Sequence, residues 1–251
     1  MRLIRALKKL KAFQGLTEQE LAWVLYDVGN SAYTMLACSL IPIWFKSIAV
    51  GHAPGQISSD NATAYYSLAV SIVTVAVALL GPVLGALADH KDKKRMYFTS
   101  AAALGMIFCV LTGFAWSWLL FLILFVVTKI CYSASLTIYD SMLGDITTED
   151  RMDEVSSNGF AWGYLGSCIP FLIALIAYVL GPDMVGLIPA LLSRGIGVFV
   201  TAAWWLMVTV PLLLDYTQKN YSSGESASVG AAFRKIFGTL RHIALHDKKV
   251  L

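Results

Sequence analysis

Six long apolar runs decide what this chain can fold into. They fall at about residues 21–45, 63–88, two within 96–144, 156–180 and 188–214. A helix needs roughly 20 such residues to cross the hydrocarbon layer of a bilayer. The run at 63–88 has no charge at all, and 96–144 holds only Lys129 and Asp140. Trp116-Ser117-Trp118 marks a tight turn between the two spans there, because Trp favours the membrane–water interface. Gly181-Pro182 breaks the chain after the fifth run, and Arg194 interrupts the sixth.

Composition excludes an ordinary soluble domain. The chain has 251 residues, 57% hydrophobic and 14% charged, against about 45–50% and about 25% in soluble proteins. Core helices of soluble proteins are shorter and amphipathic. Membrane-barrel strands are short and alternate in polarity, which these runs do not. The expected fold is an all-α polytopic membrane protein, a bundle of six transmembrane helices. Residues 21–214 form that bundle, 1–20 a cytoplasmic amphipathic segment, and 215–251 a cytoplasmic linker and amphipathic tail.

Charge sets the expected direction. Arg2, Arg5, Lys8, Lys9 and Lys11 precede span one, Lys91, Lys93, Lys94 and Arg95 follow span two, and Arg151 follows span four. Lys219, Arg234, Lys235, Arg241, Lys248 and Lys249 lie in the tail. The loops on the other side, 51–62, 116–117 and 181–187, carry no Lys or Arg. By the positive-inside rule both termini are cytoplasmic. The net charge of +3 then reflects topology, and no nucleic-acid partner is implied.

The first twenty residues lack the apolar core of a signal peptide. Leu3, Leu7 and Leu10 alternate with basic residues, as in a short helix lying on the inner membrane surface; a solvated flexible terminus is the alternative. Phe233, Ile236, Phe237, Leu240 and Ile243 repeat the pattern in the tail, after the linker-like stretch 222–230. Cys38, Cys109, Cys131 and Cys168 all fall within spans without CxxC spacing, so they read as small apolar side chains. The sequon at Asn61 matters only in a secretory-pathway host.

Polar groups inside the spans are the candidate functional residues, since charge there is costly. At about 100° per residue, Trp23, Asp27, Asn30 and Thr34 share one face of span one, flanked by Tyr26 and Tyr33. Lys129, Ser133 and Asp140 share a face of span four, beside Tyr132 and Tyr139. Asp27 lies about 9 Å inside the cytoplasmic boundary at about 1.5 Å per residue, and Lys129 near the bilayer middle. An Asp27–Lys129 ion pair is therefore geometrically open, and it would tie any proton coupling at Asp27 to Lys129. The blander alternative makes Asp27 a helix-end cap and Lys129 a snorkelling or bundle-holding residue. Asp27, Asn30, Tyr33, Lys129, Tyr132 and Arg194 are the candidates for a solute or ion cavity. There are no clustered metal ligands within the spans and no nucleophile–base pair, so neither a metal, a cofactor nor an enzyme is suggested.

The loop after span two adds a motif. Gly81 and Gly85 are spaced to let another helix approach closely, and Pro82 can kink the span. The stretch Gly85-Ala86-Leu87-Ala88-Asp89-His90-Lys91-Asp92-Lys93-Lys94 resembles the signature of the major facilitator superfamily between spans two and three. His90 stands where Arg is usual, and Asp92 where a turn glycine is usual, so a looser turn is expected. "WVLYDVGNSAY" (23–33), "VSSNGFAWGYLGS" (155–167) and "TAAWWLMVTVP" (201–211) resemble the vacuolar amino-acid effluxer-like branch, with its autophagy-related transporters and bacterial relatives. Gly159 and Gly163 again have packing spacing.

The resemblance implies the N-terminal half of a major facilitator transporter. Spans one and four would line a central cavity, and Gly85, Asp89, Lys93 and Lys94 would form a cytoplasmic gate. Such transporters alternate access by rocking two six-helix halves. The tail resembles the segment between halves, so the chain reads as a fragment of a longer product, or as one of two paired copies. The expected partners are the lipid bilayer, a small-molecule solute, and the missing C-terminal half or a second copy. The expected function is secondary transport of a small polar solute, amino acids being the class the resemblance suggests. The alternative is a truncated, non-transporting membrane interaction protein.

Overall fold

The computed structural model describes residues 2–221. Seven α-helices follow in chain order: α1 (Arg2–Leu7), α2 (Glu18–Ala49), α3 (Ser59–Ala88), α4 (Lys94–Gly113), α5 (Trp118–Ile146), α6 (Met152–Leu180) and α7 (Ala190–Asp215). The last six are each long and apolar enough to cross a membrane. They match the six expected spans, the first five extending beyond the apolar run at one or both ends and α7 shifted by one to two residues. The extra residues are polar caps that an apolar run does not reveal. Thr17 caps α2 through a box in which its hydroxyl accepts from the Glu20 N–H while Glu20 accepts from the Thr17 N–H. Ser58 caps α3, and Ser117, inside the expected Trp-Ser-Trp turn, caps α5.

α2 is the axis of the bundle. Twenty of its 32 residues are buried, which is why its polar face has to be accommodated within the protein. It packs on α5, α6 and α7, and more lightly on α3. The α2–α5 seam is antiparallel and aromatic. Trp23 Nε1 donates to the Tyr139 carbonyl at 3.2 Å, Tyr139 Oη donates back to the Trp23 carbonyl at 3.3 Å, and the rings stack 4.3 Å apart. Tyr26 meets Ser135 at 2.7 Å, and Thr34 meets Tyr132 at 2.7 Å. Such pairs close the polar groups of two helices on each other, where lipid offers no hydrogen-bond partner.

The α2–α6 seam is built by glycine. A Cβ on Gly163 would lie 2.9 Å from Ser31 Oγ, and one on Gly159 would lie 3.0 Å from the Trp23 ring and 3.1 Å from Asp27 Oδ2. The expected packing role of Gly159 and Gly163 is therefore met, with Asp27 at its centre.

The other glycine pair behaves differently. A Cβ on Gly81 or Gly85 would meet nothing within 4 Å, so among the described residues no helix uses that stripe. The physical reason is position. α3 lies at the side of the bundle with only five buried residues, whereas Leu68, Val75 and Leu79 are exposed. α3 continues unbroken through Pro82.

One further expectation is corrected. Asp92 takes a left-handed backbone, φ +60°, so the loop turns tightly without the glycine. Asp is one of the few residues that accept this region at modest cost. The N-terminal segment anchors to the bundle through Ile4, Phe13 and Leu16, all buried, while Leu10 is 53% exposed. Phe13 packs 4.6 Å from the Trp162 ring on α6. The linker and amphipathic tail expected beyond residue 221 lie outside the described residues.

The glycine contrast is testable. Gly163→Leu should lower stability by about 1–3 kcal/mol through overpacking. Gly85→Leu, with open space around it, should change stability by less than about 0.5 kcal/mol. Thermal midpoints in detergent check this; equal losses would contradict the assigned packing.

Candidate functional site

A cavity of about 450 Å³ opens between α2, α5 and α6. From α2 it is lined by Trp23, Asp27, Asn30, Ser31, Thr34 and Met35, and from α5 by Tyr132, Tyr139 and Asp140 among others. Ser156, Phe160, Tyr164 and Ser167 of α6 close the third side. The polar face of α2 thus meets the aromatic face of α5. Asp27 is only 8% exposed, and its Oδ1 accepts from Asn30 Nδ2 at 3.1 Å. The single turn of helix between them sets this bond, since residues three apart share a face.

The predicted cavity residues divide. Asp27, Asn30 and Tyr132 line the cavity together. Tyr33, Lys129 and Arg194 do not. Tyr33 is buried against the Tyr132 and Trp205 rings, with no hydrogen bond to its hydroxyl among the described residues. Lys129 places Nζ 4.9 Å from the Tyr132 ring centroid and 5.6 Å from that of Tyr33. The expected Asp27–Lys129 pair does not form among the described residues: Asp27 turns to Asn30, and Lys129 takes aromatic faces. Equal depth did not make the two side chains meet, because they leave their helices in different directions. Arg194, in the second turn of α7 at the bundle's far end, lines a separate crevice with Trp44, Tyr178 and Asp183.

A second polar centre holds the end of the bundle that carries the α3–α4 loop. Asp145, at the foot of α5, is fully buried and accepts from Lys94 Nζ at 3.0 Å, Tyr216 Oη, and the N–H groups of Lys219 and Asn220 at 3.2 and 2.7 Å. Burial, with the Asp145 carboxylate beside it, pushes the Tyr216 phenol well above its ordinary range. Of the expected gate residues, Lys94 is buried in this centre, Asp89 sits 4.0 Å from it, and Lys93 is exposed. Gly85 caps nothing itself; its carbonyl accepts from the Asp89 N–H.

A third contact pins α2. Glu20, 2% exposed, accepts from Thr147 at 2.6 Å and from Arg151 at 3.0 and 3.1 Å. Arg151 also donates to the Gly15 carbonyl at 2.8 Å.

Sequence reasoning missed Asp145 and Arg151 because the acidic stretch 144–154 between two spans reads as a solvated connector, and it missed Glu20 because that residue precedes the first apolar run. It also missed the α6 wall. The signal there was the spacing of Ser156, Phe160, Tyr164 and Ser167, at 0, 4, 8 and 11 along one helix face.

Removing one partner of a buried pair strands the other charge. Asp145→Ala should therefore cost about 3–5 kcal/mol, and adding Lys94→Met should recover much of it. Melting of the single and double variants in detergent checks this; a single variant as stable as the parent would contradict the buried pair.

The comparisons with known proteins agree with this architecture. Residues 29–242 match the family described as Major Facilitator Superfamily. The chain is 34% identical over 230 residues to the "Uncharacterized MFS-type transporter YxiO" of Bacillus subtilis (strain 168), covering 90% of this chain and 53% of that protein. The chain thus spans about half the length of this relative. No solved structure matches it. With a family match across most of its six spans, the chain belongs to the Major Facilitator Superfamily.

Proposed function

We propose that this chain forms the N-terminal six-helix unit of a secondary transporter for a small polar solute, with amino acids the first class to examine. The observation that carries this reading is the polar cavity between α2, α5 and α6, with Asp27, Asn30 and Tyr132 in its wall. An all-apolar bundle gains nothing from burying a carboxylate there, so an intramembrane Asp is a functional group by default. A second six-helix unit, covalently attached or contributed by another copy, would close the other side and permit alternating access. The Lys94–Asp145 centre, with Asp89 beside it, fits the role of a gate whose ion pairs hold one end of the unit shut. Gly85 and Lys93 belong to the same motif but carry less of the contact. The basic loops support placing this end in the cytoplasm, and the Bacillus subtilis relative supports a bacterial cell membrane. The open face of α3, Gly81 and Gly85 included, keeps a second reading alive, a membrane interaction protein that does not transport.

Uptake in proteoliposomes decides between them. With the protein at its native length and a radiolabelled amino-acid mixture, Asp27→Asn should lower the initial uptake rate at least tenfold at unchanged incorporation. Equal uptake by parent and variant would remove Asp27 from the transport site. No uptake by the parent would favour the interaction protein.

A further inference from the structure

The walls of the cavity carry a consistent charge. Asp27 and Asp140 are its two ionisable acids, one on α2 and one on α5. No lysine, arginine or histidine among the described residues lines it. Asp27 is 8% exposed, and among the described residues only its Oδ1 accepts a hydrogen bond, while Oδ2 lies beside the glycine stripe of α6. Asp140 has no ion-pair partner among the described residues. The closest cation in sequence on α5, Lys129, is held against the Tyr33 and Tyr132 rings and lies outside the cavity lining.

The remaining lining is aromatic. Trp23, Tyr132 and Tyr139 come from α2 and α5, and Phe160 and Tyr164 from α6, the last two largely exposed. A buried carboxylate with a vacant oxygen attracts an ammonium donor, and aromatic faces attract the same charge through their quadrupoles. An anionic solute would meet two carboxylates and no cationic side chain among the described lining residues. A neutral one would leave Asp27 Oδ2 unpaired.

We infer that the solute recognised here carries a positive charge, an organic ammonium group that docks between Asp27 and Asp140 against the aromatic wall. This rests on the transport reading above and narrows it: the carboxylates select the solute's charge. For an amino acid, the recognised part on this side is its ammonium group.

Calorimetric titration of the purified protein, at its native length and in detergent, tests this with three probes. They share a phenyl ring and differ in charge: benzyltrimethylammonium, phenylacetamide and phenylacetate. The cation should bind saturably and at least tenfold tighter than the other two. Asp27→Asn and Asp140→Asn should each weaken it about tenfold, with unchanged gel-filtration profiles. Asp140 is exposed, so its variant keeps the test valid should Asp27→Asn fail to fold. Tighter binding of the anion or the amide overturns the charge assignment and leaves the solute cavity standing, whereas cation binding indifferent to both variants overturns the docking of that charge between Asp27 and Asp140. Saturable binding of none of the three overturns the cavity as a solute site, and the charge assignment with it.

Discussion

A carboxylate held inside a membrane helix is the constraint around which this bundle is arranged. Moving an ionised carboxylate out of water costs many kilocalories unless polar groups receive it. Asp27 lies about one helical turn from Asn30 and two from Thr34 on the most buried of the described helices, so those groups must come from its own face and its neighbours. Asn30 supplies one donor. The glycines of α6 let a third helix come close enough that the same carboxylate borders a cavity instead of a hydrocarbon wall. Replace the glycines with larger residues and α6 moves away; replace the cavity with packed leucine and Asp27 has no reason to be there.

The same logic explains how the opposite problem is solved at the foot of the bundle. There, Asp145 and Glu20 are buried where helix ends meet their connections. Each is surrounded by donors from several segments: Asp145 by Lys94 of α4, Tyr216 just after α7 and residues 219–220, Glu20 by the α5–α6 connection and residue 17. A fully satisfied buried carboxylate ties elements that are distant in sequence, and it does so with direction. Asp27, by contrast, keeps Oδ2 without a hydrogen bond among the described residues. Satisfied acids hold the frame, and the unsatisfied one faces the space a solute would enter.

Much of this was legible in the residues. Span lengths come directly from the thickness of a bilayer, and the helical period places Asp27, Asn30 and Thr34 on one face whatever surrounds them. Family resemblance placed Asp89 and Lys94 in one motif. What could not be read was which side chains meet across helices. Asp27 and Lys129 agree in depth but not in azimuth, and azimuth depends on how α2 and α5 rotate against α6. Gly81-x-x-x-Gly85 and Gly159-x-x-x-Gly163 look alike as strings, yet only the second meets a neighbour, because α6 lies along the central helix and α3 lies at the side. Asp145 looked like one more acid in a polar loop; only the folded path of residues 216–220 surrounds it with donors.

The central claim is that the Asp27 face borders a solute-accessible space within the membrane. Cysteine accessibility measures this most directly. With Cys38, Cys109, Cys131 and Cys168 replaced, single cysteines at Ser31, Thr34 and Ser156 on the cavity wall are compared with one at Ile107 on the exposed apolar side of α4. A small charged thiol reagent should label the three cavity positions at least tenfold faster than Ile107→Cys, whose thiol would face hydrocarbon. Equal, slow labelling at all four positions would mean that the Asp27 face is sealed in the bundle, and would contradict the account.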